Sequence, residues 1–64
     1  MYAIIEIQKT DESTAVLHTV KDTPKEAKAE AYSRAGYAAL GTADSTVILC
    51  VDTLGNYLIP PIII

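Results

Sequence analysis

At 64 residues the chain has room for one domain, near the size below which folding calls for a disulfide, a metal or a partner. Half of its residues are hydrophobic and a fifth are charged, a balance that excludes a disordered tail or a low-complexity linker. Eight Asp and Glu against five Lys and Arg give a net charge of -3, so no basic surface is on hand to neutralise phosphates and no nucleic-acid partner is expected.

Residues 2–8 are rich in β-branched side chains and alternate, with Ala3, Ile5 and Ile7 on one side and Tyr2, Ile4, Glu6 and Gln8 on the other. They read as a first strand. Glu6 within that run, with no basic leader and no cleavage site, argues against a secretory leader, and a cytoplasmic location is expected. Residues 9–13 form a polar break, and residues 14–20 return to β composition, which predicts a hairpin.

Thr23-Pro24-Lys25-Glu26 is the most specific local signal. Thr suits the N-cap, Pro the first helical position, and Glu three residues after the cap reaches back to it. The helix is expected to start at Pro24 and to stop at Gly41. Ala27, Ala31, Ala35, Ala38 and Ala39 make a small-residue stripe flanked by Tyr32 and Leu40, while Lys25, Lys28, Glu30 and Arg34 point elsewhere. Glu30 and Arg34 form a favourable i,i+4 pair, and Gly36 costs about 1 kcal/mol against Ala.

Residues 46–52 are continuously apolar in the middle, the mark of a central strand covered on both faces. Gly55-Asn56 supplies a turn into a short edge strand at 57–59, and Pro60-Pro61 removes two backbone donors before the aliphatic tail Ile62-Ile63-Ile64. The fold class expected is α+β, a two-layer ββαββ domain spanning residues 1–64, with one helix on one face of an antiparallel four-stranded sheet and an apolar C-terminal tail at 60–64. One helix covers one face only, so something else should cover the second.

The chemistry available is sparse. His18 and Cys50 are the only imidazole and the only thiol; a nucleophilic pair between them lacks an orienting third group and an oxyanion hole, and a buried Cys50 and a structural His18 are the preferred readings. Asp11-Glu12 and Asp44-Ser45 read as turns, and the carboxylates Asp44 and Asp52 at either end of the third strand are too few for a metal site. Gly36, Gly41 and Gly55 stand apart and make no phosphate loop. No catalytic residue, metal, cofactor, small-molecule ligand or membrane span is therefore expected. Candidate interface residues are Tyr2, Ile4, Tyr32, Tyr37 and Tyr57, because tyrosine anchors interfaces, and Ile62, Ile63 and Ile64, because an exposed aliphatic end is an aggregation liability.

Three stretches carry a resemblance: the opening at residues 2–9, Glu26-Ala27 followed by Tyr32, and Val47-Ile48-Leu49 followed by Asp52 and Gly55-Asn56. In these the chain resembles the small ββαββ proteins of phages and integrated mobile elements of Gram-positive bacteria. Those relatives carry histidines near the middle of the helix and before the third strand, where this chain has Tyr32, Ser33 and Thr46. The resemblance implies a phage or mobile-element setting, in the host cytoplasm or the virion, and no catalytic residues. The function expected is a non-enzymatic protein-interaction and assembly module that forms a homodimer or higher oligomer, as a structural or accessory protein within a larger assembly. The alternative is a small acidic inhibitor that blocks a host defence protein.

Overall fold

The alternating patterns become an antiparallel four-stranded sheet in the computed structural model, which describes residues 1–64. In chain order the elements are β1 (Tyr2–Lys9), β2 (Thr14–Lys21), α1 (Pro24–Ala39), β3 (Ser45–Asp52) and β4 (Ile62–Ile63). The strand order across the sheet is β2-β1-β3-β4, with α1 packed on one face. The first strand in the chain is thus one of the two interior ones.

Register follows from the hairpin. Ile5 faces His18 on β2 and Leu49 on β3, and no residue slips out of register along β1. The Thr10 N–H donates to the Ser13 carbonyl at 2.9 Å, which sets the alternation of bonded pairs: even-numbered residues of β1 bond to β2 and odd-numbered ones to β3. The same phase reappears beyond β3, where Thr46 exchanges two bonds with Ile64 and the Leu58 N–H donates to the Cys50 carbonyl. On β2, the full-length edge strand, Thr14, Val16, His18 and Val20 therefore turn their backbone groups outward.

The helix starts where expected. Thr23 Oγ1 accepts the Glu26 N–H at 3.2 Å and donates to Glu26 Oε1 at 3.0 Å, so cap and carboxylate hold each other through their side chains. At the other end Leu40 closes the helix in a right-handed conformation, its N–H reaching back to Tyr37 and Ala38. Gly41 does not take the left-handed stop expected of it; positive φ occurs at Gly55 alone, in the turn after β3. There Asp52 accepts the N–H groups of Leu54 and Asn56, both at 2.9 Å. The Asn56 amide is the main reason that the Asp52 carboxyl is held below its usual range.

The core is thin. Ile4, Ile48 and Cys50 from the central strands meet Ala27 and Ala31 of the helix, with Ile59 closing one side. The alanines let the backbones approach closely but remove little apolar area each. Tyr32 and Leu40 were expected to flank this stripe and do not: they are 59% and 86% exposed, because residues at those positions look away from the sheet. Gly36 faces open space rather than a close neighbour.

The C-terminal segment departs most from expectation. Residues 57–59 form no strand; Tyr57 makes a single bridge to Val51, and Ile59 drops into the core. Pro60-Pro61 lacks the donors to continue a ladder, so pairing resumes only beyond it, where Ile62 and Ile63 pair with Ile48 and Val47. The aliphatic end is thus the fourth strand, folded onto its own sheet. Nor is β3 covered on both faces: Thr46, Ile48 and Cys50 are buried under the helix, whereas Val47, Leu49 and Val51 are only half-buried.

Three stability changes are expected in urea melts. Thr23→Ala should cost about 1 kcal/mol through loss of the cap. Gly36→Ala, entering open space on a helix, should add up to about 1 kcal/mol. Deleting residues 62–64 should weaken the protomer itself, since Ile62 packs against the core; an unchanged melt would place the segment outside the fold.

Candidate functional site

The two faces of the sheet have different chemistry. On the helix side the residue between Ile4 and Gln8 is Glu6, a carboxylate only 4% exposed. A charge removed from water needs a partner. Arg34 supplies it from the helix, with its Nη1 donating to Glu6 Oε1 at 3.3 Å and its Nη2 to the Thr19 hydroxyl on β2. Gln8 donates its amide to the other Glu6 oxygen. Arg34 Nε also stands 3.0 Å from Glu30 Oε2 without hydrogen-bond alignment, and Lys21 reaches Glu30 at 3.7 Å. The expected Glu30–Arg34 pair is present, but Arg34 does not point away from the sheet: it links the helix to β1 and β2. The sign of this in the sequence was a lone acid in an apolar strand; its partner lies 28 residues on, beyond any local spacing rule.

Cys50 shares the helix face and is completely enclosed. Burial pushes its thiol above the ordinary range, with the Lys28 ammonium pulling partly the other way. His18 lies on β2, across β1 and on the opposite face, because it pairs with Ile5 whereas Cys50 pairs with Ile4. The sheet itself separates the two, so they form no nucleophilic pair. No three His, Cys, Asp or Glu side chains come together anywhere in the fold.

The opposite face is the larger feature. The registers place three cross-strand rows there: Val20, Ala3 and Val51; His18, Ile5 and Leu49; and Val16, Ile7 and Val47. Eight of these nine positions are apolar, and nothing in the chain lies over them. Ile63 extends the third row onto β4, and Tyr57 adds to the first through its bridge to Val51. Val16 and Val20 on the edge strand are 62% and 43% exposed.

The candidate interface residues scatter about this frame. Tyr57 and Ile63 fall on the open face and are exposed. Tyr32 and Tyr37 are exposed residues of the helix, on the other side of the sheet from this face. Tyr2 and Ile62 pack half-buried against the core on the helix side, and Ile64 is partly exposed beside Thr46. Ile4, expected at an interface, is instead fully enclosed beneath the alanines, because even-numbered residues of β1 face the helix. The candidate set lacks Ile5 and Ile7, which alternation puts on one side of β1, and Val47, Leu49 and Val51, which only the register of β3 brings beside them.

Arg34→Ala should destabilise by about 3 kcal/mol, because it strands the Glu6 carboxylate, and urea melts beside Lys25→Ala give the comparison. Ellman's reagent should modify Cys50 far more slowly in native than in urea-unfolded protein. The raised thiol keeps its proton in the folded state, so the stability it lends is complete below the ordinary thiol pKa and falls as pH rises; Cys50→Ala should flatten the alkaline arm of a stability profile. Asp52 has the opposite sense, its contribution being present above the ordinary carboxylate pKa and lost as pH falls. Compared with protein-family models, curated proteins and solved structures, the chain matches none of them.

Proposed function

We propose that the chain is a non-enzymatic assembly module whose open sheet face is covered by the same face of a second copy. One observation carries this: nine adjoining positions on a sheet face, eight of them apolar, with no element of the chain over them. Burying apolar area is the main favourable term in association, and two sheets stack with inner faces about 10 Å apart. None of the eight carboxylates falls among those positions, so the -3 charge on each copy does not oppose contact at the face. An apolar surface without carboxylate, lysine or arginine among its nine positions can lie against a copy of itself.

The size of the face sets the strength. Three strands about 4.8 Å apart, over the roughly 20 Å that three rows span, give a footprint of about 290 Å², which side-chain relief, Ile63 and Tyr57 enlarge. A standard interface buries about 800 Å² per partner. The dimer should therefore be reversible, dissociating over a micromolar range. The phage or mobile-element setting, with a structural or accessory role, is attached to this reading through the sequence resemblance.

Sedimentation velocity across a micromolar dilution series should show more than one chain per particle. Leu49→Lys, which puts a charge in the centre row, should raise the dissociation constant at least a hundredfold while circular dichroism keeps its helical and strand signal. A 6.9 kDa particle throughout would overturn the proposal.

A further inference from the structure

Between the last turn of α1, the loop at 41–43 and the helix side of β1 and β3 lies a cavity of about 310 Å³, at the small end of the range for ligand sites. Two of its lining residues are nearly enclosed. Glu6 is 4% exposed and Thr46 3%. Thr46 has a hydroxyl with no hydrogen-bond partner in the chain, and that oxygen is not among the fully enclosed atoms, so the small surface Thr46 retains includes it.

The rest of the lining has one chemical sense. Gln8 spends its amide N–H on Glu6, which leaves its carbonyl oxygen as an acceptor, and Thr42 and Tyr37 add hydroxyls. Ala38 brings the C-terminal end of the helix to the cavity, where the aligned peptide dipoles are negative, and no basic residue stands in that last turn. Neither Arg34 nor any lysine lines the space: the cations that balance Glu6 and Glu30 lie towards β2. Tyr37 also lines the cavity, although most of its side chain is exposed. An enclosed carboxylate that shares its charge with Arg34 on the β2 side, an unpartnered hydroxyl and a negative helix end line one space, and no cation is part of that lining.

We infer that this cavity binds the ammonium group of a small organic amine, with Glu6 and Thr46 as its principal contacts. A divalent metal does not suit it, because hard cations gather several carboxylates and only one is present. An ammonium group needs acceptors on several sides and accepts a single partly shared carboxylate. This site is on the opposite side of the sheet from the self-association face and does not depend on it.

The test is a titration of the full chain with n-butylamine, followed by amide NMR at physiological salt, with n-butanol as the neutral control of the same shape. The amine should produce saturable shifts at Gln8, Thr42 and Thr46, and the alcohol should bind at least tenfold more weakly. Thr46→Val keeps the shape, removes the hydroxyl, and should weaken amine binding about tenfold. Glu6→Gln should abolish it; because that change also strands Arg34, Thr46→Val and Tyr37→Leu provide the reading in folded protein. Equal affinity for amine and alcohol, shifts centred on Asp11, Glu12 and Asp22 instead of the cavity, or unchanged affinity in Thr46→Val would overturn the inference.

Discussion

The contact between the alanine stripe of α1 and the two interior strands is what the rest of the molecule rests on. Ala27 and Ala31 bring the helix close enough to enclose Ile4, Ile48 and Cys50 completely, and no other part of the chain achieves that. The same choice of small residues limits what the contact yields, since an alanine removes little apolar area from water. The accessible surface of 4274 Å² slightly exceeds the roughly 4000 Å² that the mass implies for a compact monomer, and only eight residues are buried. A layer this thin gains from anything that covers the second face.

Against that background the charged contacts under the helix take on a positional role. Glu6 and Arg34 cross from strand to helix, and Thr19 ties the guanidinium to the edge strand as well. Ion pairs removed from water add little net stability, yet breaking one is costly, so such a pair favours one placement of the helix over its neighbours. A stripe of alanines alone is smooth and would specify the helix's position along the sheet poorly. The acid in the middle of β1 gives the helix one position in which Arg34 meets a buried partner.

Much of this was legible in the residues, and the exceptions have physical causes. Alternation assigned Ala3, Ile5 and Ile7 to one face and Ile4 to the other, and Thr23-Pro24 with Glu26 marked the helix start, because both are consequences of local geometry. The final strand was misplaced because residues 57–59 have β composition, whereas pairing depends on which backbone groups reach β3, and only the segment after Pro60-Pro61 lies alongside it at length. Arg34 lies off the alanine stripe in the helical pattern, but its long stem lets the guanidinium lie over the sheet and meet a carboxylate. The cavity beside Thr46 left no trace in the sequence, since it arises from where a helix end and a loop come to rest.

The edge strand β2 runs its full length in register, carries no proline, and turns the backbone groups of Thr14, Val16, His18 and Val20 outward. Beside a sheet face that favours stacking, this open edge supplies a second direction of growth. Stacking repeats at about 10 Å and edge pairing at about 4.8 Å, and these are the two periods of a cross-β lattice. Natural sheets interrupt the second direction with charge or bulges. Here the interruption lies at the ends of one strand, in Asp11 and Glu12 of the turn before it and Lys21 at its close. How freely this edge can pair when the protein is crowded therefore turns on charges at the two ends of one strand, one of which, Lys21, also reaches Glu30 on the helix.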